Sequence, residues 1–268
     1  MAALKKALYT GAFLFSTLFT AAAVPAATET AEVRHVLDGD TVILRDNQHV
    51  RLIGINAPEL GKDGAPDQPL AARARDRLAQ LVRGQRVTLA FERERQDHYG
   101  RLLAHVYLPD GRDVEEILLR EGLAWAVAVP PNVGKLAVLL AAENEVRGTG
   151  RGVWGESVYA PTPAERLTTQ DTGFRFIEGT IRRRAQRHNV IYLDLTPSVA
   201  LLIPGKDWKK YFDVQGSTNV AGGRKPGATQ GNPSALVGHR VVARGWLTES
   251  KGRLHLRVSH PAMLTWRD

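Results

Sequence analysis

The sequence predicts a mainly β protein with helices, arranged as two small five-stranded barrels in tandem. Three features carry that expectation. Short runs with alternating apolar side chains recur between turn signals along both halves of the 268-residue chain. A helical period intervenes after the third run of the first half. Gly148 to Gly155 and Ala160 to Thr169 then interrupt both periods and mark a boundary.

The first-half elements follow in order. Glu32 to Leu37 reads as a strand, Thr41 to Arg45 as a second with Val42 and Leu44 alternating, and Val50 to Ile55 as a third after the Asp46-Asn47 turn. Gly61 to Pro69 is rich in Gly, Pro and Asp and reads as loop. Leu70, Ala74, Leu78, Leu81 and Val82 recur at helical spacing, and Gly84 ends that helix. Arg86 to Glu94 and Leu102 to Leu108 are two more strands. Asp113 caps a helix carrying Val114, Ile117 and Leu118 that closes at Gly122, and Leu136, Leu139 and Leu140 mark another. Five strands with a helix after the third fit a closed barrel of the OB type with further helices packed on it.

A second strand series follows the boundary: Phe174 to Arg182, Val190 to Leu195 and Val199 to Ile203. Lys206 to Phe212 reads as a short helix, and Gln215 to Pro233, rich in Gly, Asn, Ser and Pro, as a mobile loop. Arg240 to Thr248 and Leu254 to Val258 form a hairpin around Lys251-Gly252. The count again suits a small OB-like barrel. No sequence period is shared between the halves.

The amino terminus sets the compartment. Lys5 and Lys6 precede an apolar run from Ala7 to about Val24, and Val24-Pro25-Ala26 supplies small residues in a cleavage pattern. This reads as a secretory signal peptide cut near Ala26 or Ala27, the alternative being an uncleaved anchor. The expected layout is a signal at 1–26, a catalytic barrel at 27–160, a linker at 161–172 and a second barrel at 173–268. The mature protein is expected in the periplasm or the medium, with no stable membrane association and no obligate protein partner. Cysteine is absent, which excludes disulfides, zinc–thiolate sites and cysteine nucleophiles.

Net charge is +8 at pH 7, unevenly spread. Residues 27–167 carry 18 basic and 21 acidic side chains, whereas 168–268 carry 16 basic and 7 acidic. A basic surplus in the last third points to a polyanionic partner, nucleic acid before membrane.

The chemistry-bearing residues lie in the first half. Asp38-Gly39-Asp40-Thr41 precedes Arg51-Leu52-Ile53-Gly54-Ile55-Asn56-Ala57-Pro58-Glu59, and Asp97-His98-Tyr99-Gly100-Arg101 comes later. Gly39 allows a tight turn that leaves Asp40 exposed at the start of its strand. Arg51 reaches Asn56 only through a bend, which Pro58 helps to make. Hydrolysis of a phosphodiester calls for a hard cation, cationic donors to phosphate oxygens and a base for water. Asp40 and Asn56 offer oxygen ligands suited to calcium or magnesium. Arg51 and Arg101 offer forked donors, and Glu59 can orient or deprotonate water. Any one of these, taken alone, reads as a solvated surface group. Their order along the chain is what favours a site.

At these residues the chain resembles the staphylococcal nuclease-like (thermonuclease) family, from about Val33 to Gly155. The resemblance implies an OB-type barrel, calcium as cofactor, and DNA or RNA as substrate cut with little sequence preference to leave 3′ phosphates. It implies that Asp40 ligates calcium, that Ala57 contributes its backbone carbonyl, and that Glu59 handles the attacking water. Arg51 and Arg101 match phosphate-binding arginines, and Tyr99 a tyrosine on the nucleotide. Asn56 stands where an aspartate ligand is expected, so weaker metal affinity follows. His98 replaces a phosphate-contacting lysine. Ala128 and Pro130 replace nucleotide-binding tyrosines, and nearby Trp125 is the candidate to stack a base instead.

In the second half, Arg182, Arg183, Arg184, Lys209, Lys210 and Arg244 with Trp246 are candidates for holding nucleic acid by charge and stacking. The competing reading makes these arginines solubilising and Trp246 a core residue. Glu115, Glu116, Glu143 and Glu145 read as helix-surface charges. The leading expectation is an exported calcium-dependent nuclease. Its rivals are a weak or inactive nucleic-acid-binding module and an exported protein that binds anionic polymers through the basic half alone.

Overall fold

The computed structural model describes residues 27–213, 219–220, 223–224 and 236–267. The expected signal segment and most of the loop at 215–233 lie outside them. Among the described residues, no helix is long and apolar enough to cross a membrane.

Strands β1 (Thr28–Asp38), β2 (Thr41–Leu44) and β3 (His49–Leu52) form an antiparallel series, and a short β4 (Ile55–Asn56) follows. Helix α1 (Ala71–Val82) then covers the barrel with Ala71, Ala74, Leu78 and Val82, one buried face at helical spacing. The chain returns through β5 (Arg86–Gln96) and β6 (Leu102–Tyr107). The barrel closes in the order β1-β2-β3-β6-β5, and β1 pairs back onto β5. Only the β3–β6 pairing is parallel. Asp113 accepts the Glu116 N–H at 2.9 Å and so caps α2 (Val114–Arg120). Strand β7 (Trp125–Ala126) pairs with β4, and α3 (Leu136–Arg147) packs on α2 and β7.

The boundary segment is itself packed. Strand β8 (Thr162–Pro163) lies parallel to β9 (Gly173–Thr180), and Ala164 and Leu167 are buried. Next come β10 (Arg183–Arg187), β11 (Val190–Asp194) and β12 (Val199–Pro204). The helical turn α4 (Gly205–Asp207) runs on through Trp208–Phe212. A two-stranded ladder joins β13 (Asn219–Val220) and β14 (Gly223–Arg224). The chain ends with β15 (Arg240–Ser250), β16 (Arg253–Arg257) and β17 (Leu264–Arg267). Lys251 and Gly252 both take positive φ (54° and 74°), as the tight β15–β16 hairpin requires. The strand order is β10-β11-β12-β16-β15-β9. Because β9 runs into β10 across Ile181 and Arg182, the path returns to one stretch of chain. With β12 and β16 as the parallel pair, this unit repeats the connectivity of the first barrel and is a second OB-like unit.

The two units share one continuous apolar core. Their joint adds Trp125 and Val153 from the first unit against Phe176 and Val242 from the second. Two expectations fail here for the same reason. Glu115 and Glu143 are fully buried, not helix-surface charges. Glu115 accepts the Val106 N–H at 3.1 Å and lies 3.4 Å from His105, which also bonds Glu92 at 2.9 Å. Glu143 forms a buried ion pair with Arg244 of β15. Helical spacing cannot separate an outward carboxylate from one that meets a cation across a packing face.

Removing one member of a buried pair strands the other. Glu143→Ala is expected to lower unfolding free energy by roughly 3–5 kcal/mol, read by urea denaturation. A Glu143→Leu/Arg244→Met double variant is expected to recover most of that loss.

Candidate functional site

A cleft of about 920 Å³ gathers Asp40, Arg51, Asn56, Glu59, His98, Tyr99 and Arg101, residues spread over a long stretch of chain. Strand pairing brings them together. The β2–β3 ladder sets Thr41 opposite Arg51, and Leu52 N–H donates to the Asp40 carbonyl at 2.9 Å. The parallel β3–β6 ladder sets Val50 opposite Leu102 and Arg51 opposite Leu103, so Arg101, just ahead of β6, enters the same cleft as Arg51. Val50 and Leu52 point into the core and Arg51, between them, points out.

Gly39 is required by close approach. A Cβ there would lie 2.6 Å from the Ala57 Cβ and 2.7 Å from the Ala74 Cβ. This packing buries Asp40, contrary to the exposed position expected from the turn. Its Oδ2 accepts the Ala57 N–H at 2.8 Å and meets the Arg51 guanidinium at 2.9 Å. Its Oδ1 accepts from Thr41 at 3.1 Å. The bend after β3 is made at Gly54 (φ 81°), upstream of Pro58. It lets Asn56 Oδ1 accept from Arg51 at 3.2 Å. Ala57 is buried behind this pair, its carbonyl 3.4 Å from the Asn56 amide nitrogen.

Burial drives the Asp40 carboxyl up to about 7. Arg51 and the Ala57 N–H pull it down, and neighbouring Asp38 pushes it further up. One guanidinium thus only partly offsets the burial of this carboxylate. The donors at hand are all oxygens: a carboxylate, an amide and a backbone carbonyl, a set that fits calcium or magnesium. Among the described residues, no group of three or more His, Cys, Asp or Glu side chains converges as a metal cage. Such an ion would keep much of its water.

Glu59 is exposed, and its backbone N–H is held by Gln68 at 2.9 Å. Arg101 is held by Asp97, whose Oδ2 accepts from Nε at 2.7 Å while its Oδ1 accepts the Tyr99 and Arg101 N–H groups. That ion pair, with the two amide bonds, keeps Asp97 below the usual carboxylate range even though burial alone pushes it up. Tyr99 is 74% exposed, and the His98 and Tyr99 ring centres lie 3.8 Å apart with their planes tilted by 41°. The sequence reading missed Asp97 as the residue that orients Arg101, although its i,i+4 spacing and the Asp-x-x-Gly turn signal were visible. It also missed Asn132, which pins β5 at the cleft wall by two bonds to the Glu94 backbone, at 2.9 and 2.7 Å.

Two expected contacts are corrected. Trp125 is 1% exposed and does not reach the cleft. Its ring stacks on Phe174 at 5.2 Å and meets Tyr159 edge-on at 4.7 Å, so it belongs to the joint between units. Arg244, 5% exposed, is committed to Glu143 and offers no basic surface. Arg182 and Arg183 are exposed and paired with Glu165 and Asp194. Arg184 is half-buried beside Gln186. Lys209 and Lys210 are exposed on the helical turn after α4. Trp246 lies in the cleft of the first unit.

Residues 49–156 match the family described as Staphylococcal nuclease homologue. A protein named Thermonuclease from Staphylococcus intermedius is 38% identical over 125 residues, 46% of this chain and 74% of that protein. Another Thermonuclease, from Staphylococcus hyicus, is 33% identical over 130 residues, 47% of this chain and 76% of that one. Endonuclease YncB of Bacillus subtilis (strain 168) is 36% identical over 128 residues, 46% of this chain and 60% of that protein. The chain belongs to the staphylococcal nuclease homologue family, and the family match ends before its second OB-like unit.

Because Gly39 has no room for a side chain, Gly39→Ala is expected to cost about 1–3 kcal/mol of stability by overpacking. Chemical denaturation measures it, and a compensating Ala74→Gly change at the facing Cβ is expected to restore part of the loss.

Proposed function

We propose that this chain is an exported, calcium-dependent nuclease that hydrolyses phosphodiester bonds of DNA and/or RNA with low sequence specificity, leaving 3′ phosphates. The observation that carries the reading is the single cleft in which Asp40, Arg51, Asn56, Glu59 and Arg101 converge. Family membership and relatives named as thermonucleases and endonucleases support it. Export rests on the signal-like segment at 1–26.

Each residue has a distinct task. Asp40, Asn56 and the Ala57 carbonyl would hold calcium, which supplies Lewis-acid stabilisation of phosphate charge. Arg51 and Arg101 bind the phosphate with directed donors, and Arg101 is aimed by Asp97. Glu59, exposed at the cleft, takes a proton from water as the water oxygen bonds to phosphorus. The P–O5′ bond breaks, the 5′ oxygen leaves as a hydroxyl after taking a proton from solvent water, and the phosphate stays on the 3′ side. Tyr99 and His98 lie where they can contact the nucleotide. In the second unit, exposed Lys209 and Lys210, with Arg182, Arg183 and Arg184 on β10 and the residue before it, are the cations a polyanion would meet.

Digestion of DNA and RNA by the purified mature protein, with calcium, magnesium or chelator, tests the reading through product ends. Arg51→Lys keeps a cation beside buried Asp40 but loses the fork. It and Arg101→Ala are each expected to lower turnover by roughly 10²–10³-fold with the fold retained by circular dichroism. Normal rates in both would remove the arginine clamp. The rival binding module would shift DNA equally with calcium or chelator and leave it uncut.

Asn56 contributes oxygen without charge, and ligand charge tunes affinity at such sites. Asn56→Asp is expected to lower the calcium concentration for half-maximal cleavage by about tenfold. A calcium titration of activity checks this.

A further inference from the structure

Trp246 belongs to the second unit, yet it is 41% exposed and lines the cleft that holds Asp40, Arg51 and Arg101. Strand β15 explains how it gets there. Val242, Arg244 and Trp246 are two residues apart and share one face of that strand. Val242 packs with Trp125 at the joint. Arg244 is anchored to Glu143 of α3. Trp246, the next residue on that face, is thereby carried past the joint to the cleft. Phe174, its ladder partner on β9, meets the indole edge-on at 5.3 Å and 70° and fixes the ring plane.

An exposed indole in a cleft that also holds two guanidinium groups is an unusual use of apolar surface. Val129, 52% exposed, extends that apolar wall. Tyr99 is another exposed aromatic ring in the cleft, and it lies 5.5 Å from ring centre to the Arg101 guanidinium carbon. The cleft therefore offers charge for a phosphate and flat rings for bases, the combination that holds a single strand.

We propose that Trp246 is a base-stacking residue of this cleft, so that the second unit completes the binding site for an unpaired nucleic-acid strand. The proposal rests on reading the cleft as a phosphodiester site. A base inside a duplex has both faces covered by its neighbours, so the indole can accept only an unstacked base. The second unit then imposes a preference for single strands or frayed ends.

The test is equilibrium binding of a labelled single-stranded oligodeoxynucleotide and of an abasic strand of equal length, with the full mature chain in chelator. Trp246→Leu keeps an apolar contact for Phe174 but has no ring, and Trp246→Phe restores one. Trp246→Leu is expected to weaken binding of the base-bearing strand by roughly tenfold, while the abasic strand changes little and Trp246→Phe recovers most of the affinity. Unchanged binding of the base-bearing strand by Trp246→Leu, or equal weakening for both strands, would overturn the proposal. Thermal unfolding of both variants separates loss of fold from loss of stacking. Failure of the wild type to cleave with calcium would defeat the nuclease reading alone, because the binding comparison needs no turnover.

Discussion

The contact between Asp40 and Arg51 depends on a single strand register. β3 lies between β2, antiparallel to it, and β6, parallel to it. That arrangement delivers a buried carboxylate, two arginines and the Gly54 bend to one place. A one-residue slip of β3 would turn Val50 and Leu52 toward solvent and Arg51 into the core. The hydrophobic pattern that closes the barrel is therefore also what aims the polar site, and stability and chemistry are not separable at this strand.

Burial gives the Asp40–Arg51 pair its character. A surface carboxylate would titrate in the ordinary acid range. Here Gly39, Ala57 and Ala74 pack so closely that Asp40 loses its water, and its carboxyl rises to about 7 against the pull of Arg51. The strand ladders on either side of the Asp38–Thr41 turn, and the bonds from Thr41, Ala57 and Arg51, hold that group in place.

The joint between the units extends the same logic. An ion pair buried at such a surface is a poor source of net stability but a strict determinant of alignment, because either charge left alone is costly. Arg244 and Glu143 register β15 against α3, and the aromatic cluster of Trp125, Phe174, Phe176 and Tyr159 fills the space beside them. That alignment brings an aromatic side chain of the second unit to the working cleft of the first.

Local pattern was sufficient for most elements. Alternation gave away the strands, helical spacing placed the helix at 71–82, the Asp113 cap located the next, and Lys251-Gly252 marked a hairpin. The site motifs were legible because turns, bends and strand ends impose residue types locally. What failed was anything decided by contact between distant segments. Trp125 reads as an available ring, yet its strand pairs with β4 and its ring meets β9. Glu115 and Glu143 look like solvated helix charges because their partners, His105 and Arg244, lie elsewhere in the chain. By itself, then, the sequence determined the first barrel and the main strands of the second sheet, and it pointed to the residues that meet in the cleft. Only the tertiary structure decided which charged groups are buried, that Arg244 is structural, and that Trp246 faces the first unit, since burial and facing depend on packing between segments that no local period records.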